Sequence, residues 1–95
     1  MDKEDEVRVK IFKALSDEMR LGIVRTLYLN EKEMACSEIR SGMTISDSTI
    51  SYHLKILREA DLAFTRKDAQ NRLTTLKVET FNKYLPGFLE TLSKE

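Results

Sequence analysis

Between Glu6 and Leu15 the apolar residues Val7, Ile11, Phe12 and Leu15 recur at i, i+4, i+5 and i+8, which is one face of a helix. Ser16 or Asp17 then supplies an N-cap oxygen for a second helix, with Asp17 and Glu18 at its positive end. Leu21, Ile23, Val24, Leu27 and Tyr28 give that helix a broad apolar face expected to be nearly all core, and Asn30-Glu31-Lys32 ends it. A short third helix is expected from about Ala35 to Ser41, with Cys36, Ile39 and Met43 inward and Gly42 at its end. Ser46 is a strong N-cap for a helix from Asp47 to Ala60, about 21 Å long at 1.5 Å per residue. Ile50, Leu54 and Leu57 form its inner face; Ser48, Thr49, Ser51, Tyr52, Lys55 and Arg58 occupy the rest of its circumference. Asp61 ends it, a residue that tolerates a left-handed backbone better than most.

Beyond Asp61 the period shortens to two. Leu62 and Phe64 alternate with Ala63 and Thr65, and Leu73, Leu76 and Val78 follow on the far side of Asp68-Ala69-Gln70-Asn71. Strand-forming Thr65, Thr74, Thr75 and Val78 around that turn signal predict a hairpin with a loop of four residues or slightly more. In the tail, Phe81, Tyr84, Leu85, Phe88, Leu89 and Leu92 keep helical spacing, with Pro86 expected at the first position of a restarted helix. Two helices joined by a turn of three to four residues, the second followed by a hairpin, make a winged helix-turn-helix. The expected fold is mainly α with a small β-hairpin, in the order ααααβ-hairpinα. It is expected to form one domain over residues 1–95, with the helix-turn-helix at 36–60, the wing at 62–78 and flanking helices at 1–15 and 80–95.

Composition refines this picture. Hydrophobic residues at 41% and charged residues at 34% suit a folded globular chain rather than a disordered one. The single Cys excludes an internal disulfide and a structural zinc site built on cysteines. The acidic start Met1-Asp2-Lys3-Glu4-Asp5-Glu6 lacks a following apolar segment, and no apolar run approaches the roughly 18 residues of a membrane span. A cytoplasmic protein with no membrane partner is expected. The 16 basic and 16 acidic side chains cancel, which looks unfavourable for a nucleic-acid partner. The balance is local, however. Ile50 to Lys77 holds six basic and three acidic side chains, net +3, and the remainder holds 10 and 13, net −3. The excess lies where phosphate contacts would be needed.

A reading helix needs an apolar face for anchoring and an opposite face of small hydrogen-bonding groups that fit the major groove. Ser48, Thr49, Ser51 and Tyr52 supply the second face. At this point the chain resembles the ArsR/SmtB family of bacterial transcriptional repressors. Leu15-Ser16-Asp17-Glu18-Met19-Arg20-Leu21 is similar to the family's helix-opening motif Leu-Ser/Ala-Asp-Pro-x-Arg-Leu, with Glu18 at the proline. The run from Ser46 to Leu62, Ser-Asp-Ser-Thr-Ile-Ser-Tyr-His-Leu-Lys-Ile-Leu-Arg-Glu-Ala-Asp-Leu, is similar to its recognition-helix signature Ser-x-Ser-Thr-Val-Ser-x-His-Leu-x-x-Leu-x-x-Ala-Gly-Leu, with Asp61 at the glycine. The likeness extends from about Ile11 to Val78. It implies a homodimer built on the first and last helices that occupies a near-palindromic operator in double-stranded DNA and leaves it when an inducer binds. The DNA-binding residues so implied are Ser46, Asp47, Ser48, Thr49, Ser51, Tyr52, His53 and Lys55. Of these, Asp47, Ser48, Ser51 and Tyr52 face bases, while Arg66, Lys67 and Arg72 of the hairpin follow the backbone or minor groove.

Several competing readings follow. The family's thiolate metal site, Glu-Leu-Cys-Val-Cys-Asp, is matched here by Glu33-Met34-Ala35-Cys36-Ser37-Glu38, which lacks both expected cysteines, and no histidine follows Glu79. No metal and no cofactor are therefore expected, and the effector is unspecified. Cys36 is either a redox thiol or a core residue; its spacing with Ile39 and Met43 favours core. His53 and Cys36 do not make a credible nucleophile–base pair, and no enzymatic activity is expected. The C-terminal apolar stripe is either ordinary core or a dimer contact through Phe88, Leu89 and Leu92 with Val7 and Ile11. The alternative function is a winged-helix protein-interaction module without an operator.

Overall fold

The computed structural model describes residues 1–93. Lys94 and Glu95, the end of the expected 80–95 segment, lie outside the described residues. Each long helix opens on a side chain able to satisfy its first free N–H groups. Asp2 caps α1 (Lys3–Leu15) through Glu4 N at 2.8 Å, and Asp17 caps α2 (Glu18–Asn30) through Arg20 N at 3.0 Å. Ser46 caps the reading helix at Thr49 N, 3.2 Å away. Between them lie β1 (Met34–Ala35) and α3 (Cys36–Arg40), followed by α4 (Asp47–Glu59). The wing strands are β2 (Ala63–Asp68) and β3 (Asn71–Leu76), and α5 (Val78–Tyr84) and α6 (Phe88–Thr91) close the chain.

Four local details differ from the sequence pattern. Residues 41–46 separate α3 from α4, a longer turn than expected, because α3 ends at Arg40 and Gly42 has no left-handed backbone. Asp68 pairs with Asn71, so the hairpin loop is only Ala69-Gln70, with Ala69 at φ 57°. Pro86 does not start the last helix; Gly87 at φ 85° reverses the chain and α6 begins at Phe88. The wing also has a third strand. β1 pairs antiparallel with β3 (Met34 with Thr74, Ala35 with Leu73), giving the sheet order β1-β3-β2.

The core gathers one face from each element: Ile11 and Ala14, Ile23, Val24 and Leu27, Ile39, then Ile50, Leu54 and Leu57, with Leu62, Leu76 and Phe81. Burial of each large apolar side chain contributes about 1.5–3 kcal/mol. Leu21 and Tyr28, expected in the core, sit at its margin. Phe12 faces outward and is 54% exposed. Asp61 takes the left-handed backbone expected of it (φ 62°) and ties α4 to α5, accepting from Lys77 Nζ at 2.6 Å and Thr80 Oγ1 at 3.2 Å.

Candidate nucleic-acid interface

Helix α4 is held from one side only. Ile50, His53, Leu54 and Leu57 are buried, whereas Asp47, Ser48, Ser51, Tyr52 and Lys55 are exposed. Ser48, Ser51, Tyr52 and Lys55 stand at i, i+3, i+4 and i+7, a single polar stripe running along the solvent face. This face can present hydroxyls, a phenol and one ammonium to a groove. At its start the hydroxyls of Ser46, Ser48 and Thr49 form a cluster, with Ser46 Oγ 3.2 Å from Ser48 Oγ and 2.9 Å from Thr49 Oγ1. Ser46 and the half-buried Thr49 are thereby engaged in starting the helix. Asp47 is also partnered: Arg40 Nε lies 2.6 Å from its Oδ1, an ion pair across the turn whose alignment falls short of a hydrogen bond.

His53 is placed differently from the expectation. It is 8% exposed and faces inward, so it is removed from the candidate DNA contacts. Arg20 explains why. Its Nε donates to Ala14 O at 2.7 Å, its Nη2 to Lys13 O at 3.4 Å, and its Nη1 lies 3.1 Å from His53 Nδ1. A guanidinium cannot accept, so Nδ1 is the acceptor and the imidazole proton sits on Nε2. One side chain therefore terminates α1 and locks the reading helix to it. Asp17 lies alongside, 4.0 Å from His53 Nδ1, its carboxyl held below the usual range chiefly by the Arg20 backbone N–H.

The pleat divides the wing cations. Thr65 and Lys67 of β2 share the inner face with their partners Thr74 and Arg72, and the two threonine hydroxyls are 3.3 Å apart. Arg66 lies on the opposite face and grips both carboxylate oxygens of Glu33 through Nε and Nη2, Nε donating at 2.8 Å. The Arg66 hydrogen bonds hold the Glu33 carboxyl below its ordinary range. Arg66, expected to follow the DNA backbone, is thus paired with a carboxylate of the chain itself, unlike Lys67 and Arg72. Arg58, half-buried on α4, opens onto the inner wing face beside Lys67 and Arg72. Its position at i+3 from Lys55 and i+7 from Ser51 was the available signal in the sequence.

The five expected dimer residues separate as well. Ile11, Leu89 and Leu92 are 1%, 2% and 6% exposed within a single chain, filling its own core, so they are not available to a second copy. Val7 and Phe88 remain half-buried, and Val9 and Phe12 are the apolar residues on the outer side of α1. Cys36 is half-buried beside Ser51 and Arg72; burial first, and the Asp47 carboxylate second, push its thiol up, the opposite of what a reactive thiolate needs. Among the described residues, no three His, Cys, Asp or Glu side chains gather into a metal-sized group, and no helix is long and apolar enough to cross a membrane.

A reading helix with one polar stripe, seated in a three-helix core and flanked by a three-stranded wing, defines a winged helix-turn-helix transcriptional regulator that binds DNA. Similarity to known proteins agrees. A helix-turn-helix domain family matches residues 15–63. The HTH-type transcriptional regulator YceK of Bacillus subtilis (strain 168) is 54% identical over 89 residues, covering 94% of this chain and 89% of that protein. The transcriptional activator HlyU of Vibrio cholerae is 38% identical over 76 residues, 80% of this chain and 68% of that one. The solved structure of HlyU from Vibrio cholerae N16961 superposes with a TM-score of 0.78 at 33% identity, covering 97% and 94% of the two chains. The putative arsenical resistance operon repressor ArsR of Halobacterium salinarum is 37% identical over 67 residues, 70% of this chain and 52% of that protein. The chain belongs to the ArsR/SmtB family of winged helix-turn-helix transcriptional regulators.

Proposed function

We infer that the protein is a homodimeric repressor that reads a near-palindromic operator with α4, acting in the cytoplasm and without catalysis. The observation that carries this is the exposed stripe Ser48, Ser51, Tyr52 and Lys55 on a helix whose opposite face is fixed by Ile50, Leu54, Leu57 and the Arg20–His53 contact. Ser48, Ser51 and Tyr52 read base edges, while Lys55, Lys67 and Arg72 meet the backbone. A single copy has few cations for this work, so two copies on half-sites about 34 Å apart are needed for useful affinity. The outer face of α1, where Val9 is 40% and Phe12 54% exposed, is the surface that a second copy would cover, together with Val7 and Phe88.

Fluorescence titration against the DNA upstream of its own gene, at two salt concentrations, tests the reading. Binding should weaken steeply with salt, and Ser48→Ala or Ser51→Ala should cost on the order of 1–3 kcal/mol at the operator alone. Absent or salt-independent binding would instead favour a protein-interaction module. Equilibrium sedimentation should show a dimer at micromolar concentration that Phe12→Glu dissociates; a wild-type monomer there refutes the dimer. Transcription from the target promoter should rise when the gene is deleted, and a fall would make the protein an activator.

A further inference from the structure

The C-terminal end of α2, the end of β3 and the start of α5 enclose a recess of about 220 Å³. Leu27 and Leu76 of its wall are buried, Tyr28 and Thr75 are half-buried, and Val78 is 44% exposed. Glu31 and Lys32 complete the wall, and both are exposed. The loop that carries these two charges is held in place. Glu31 N donates to Leu27 O at 3.3 Å, and Asn30 Nδ2 donates to Lys32 O at 3.0 Å. Among the described residues neither Glu31 nor Lys32 belongs to an ion pair, even with its neighbour. An otherwise largely apolar recess thus carries one free carboxylate and one free ammonium. Its wall takes no residue from α4, and none from Val7, Val9, Phe12 and Phe88, the proposed contacts with a second copy.

The wall dictates the chemistry of an occupant. A volume of about 220 Å³ falls below the roughly 300–1,000 Å³ of sites for drug-sized ligands, so one small metabolite fits and a peptide does not. Leu27, Leu76, Val78 and the Tyr28 ring call for an apolar body. A simple carboxylic acid would leave Glu31 facing a like charge, and a simple amine would do the same at Lys32. A molecule with both charges beside an apolar body satisfies both. We propose that the recess binds one apolar α-amino acid as its zwitterion, with the carboxylate at Lys32, the ammonium at Glu31 and the side chain among Leu27, Leu76 and Val78. The site also bears on DNA binding, and this part rests on the regulator reading above. Leu76 pairs with Ala63 across the hairpin, and Lys77 N donates to Leu62 O at 2.9 Å. Residues 61–63 are where the chain leaves α4, so an amino acid in the recess sits against the joint of reading helix, wing and α5. It is the effector that sets operator occupancy.

Two arms test the site. In the first, the amide resonances of Thr75 and Val78 are followed in the intact chain, without DNA, as L-leucine or L-phenylalanine is added to millimolar concentration. Both should saturate, whereas glycine, which has the two charges and no apolar body, should not. Isocaproate and isopentylamine keep leucine's body with one charge each, and should bind about two- to five-fold more weakly than leucine. Glu31→Gln and Lys32→Gln should each weaken leucine by a similar factor. Lys32→Gln should not weaken isopentylamine, which has no carboxylate to lose. Val78→Trp fills the recess from an exposed position and should abolish saturation, with melting curves confirming the fold. No saturation by either amino acid in wild type, or saturation indifferent to Val78→Trp, overturns the site. A one-charge analogue that binds as well as leucine overturns the zwitterion. In the second arm, saturating leucine should change operator affinity about five-fold or more in wild type and not in Val78→Trp, and operator should change leucine affinity by the same factor. Saturable leucine with unchanged operator affinity overturns the effector role alone. Failure of wild type to bind DNA overturns the regulator reading instead, and the amide titration then decides the site by itself.

Discussion

Replacing Arg20 by Met keeps an unbranched stem of similar reach and removes every donor. Three contacts disappear together: those to Ala14 O at 2.7 Å, to His53 Nδ1 at 3.1 Å and to Lys13 O at 3.4 Å. A hydrogen bond involving a charged group contributes about 1.5–3 kcal/mol net. The first two are well formed, the third is long, and they share one half-buried side chain, so they do not add in full. The expected loss is about 2–4 kcal/mol, part of it the penalty of leaving the carbonyl of the buried Ala14 and the His53 ring nitrogen without donors. Domains of this size have about 5–14 kcal/mol in total. With a urea m-value of about 1–1.5 kcal/mol/M, the unfolding midpoint should fall by about 2 M at unchanged m. Arg20→Lys, which restores a charged ammonium on one nitrogen but not the planar fork, should recover only part of this. Because His53 is the shared partner, the cycle with His53→Leu should show a coupling of at least about 0.5 kcal/mol. A midpoint shift in Arg20→Met below about 0.3 M, or strictly additive losses in the cycle, would refute the view that this side chain locks α4 to α1.

Glu33→Ala should release Arg66 to DNA, tightening binding a few-fold and steepening the salt slope by about 1 in the titration described above. Ser46→Ala removes the α4 cap and should cost about 1 kcal/mol in urea unfolding, with a parallel loss of DNA affinity. Ala69→Gly should be neutral or stabilising by up to about 1 kcal/mol, since a left-handed alanine costs about 1–2 kcal/mol and glycine's extra unfolded-state freedom offsets part of the gain. The carboxyls of Asp17, Glu33 and Asp61 all have folded pKa values below their ordinary ones, through Arg20, Arg66 and Lys77 respectively. Their contribution is present above the unfolded values of about 4 and is lost as pH falls through the folded ones. Urea midpoints should therefore hold from neutrality to about pH 5 and drop below about pH 4, less steeply in Asp17→Asn.

The reading helix and its cap were legible because both are local. The spacing of Ile50, Leu54 and Leu57 and the placement of Ser46 need no partner from elsewhere in the chain. The hairpin announced itself by its change of period. What the sequence hides is contact between distant residues. β1 is two residues with no alternation to detect, and it exists only because Thr74 and Leu73 present an open edge to Met34 and Ala35. Arg66 carries the same formal charge as Lys67 and Arg72, yet it is diverted by a carboxylate 33 residues away. His53 lies beside the solvent-facing Tyr52 in sequence but on the other side of the helix in space, held there by Arg20. The tail stripe was ambiguous for a different reason: helical spacing marks burial without saying which chain provides it, and Leu89 and Leu92 are buried by their own.

The short strand β1 also bears on the entropy of association. Through β1, which pairs with β3 and leads directly into α3, the wing is joined by backbone hydrogen bonds to the helix-turn-helix. Ordering a flexible backbone takes about 1–2 kcal/mol per residue, which would heavily discount the contacts of a loose hairpin closing on DNA. Here that ordering is complete on folding, and only Ala69 and Gln70 at the tip lie outside the paired strands. A chain with no net charge and little long-range attraction thus carries a wing whose strands are already paired to each other and to β1.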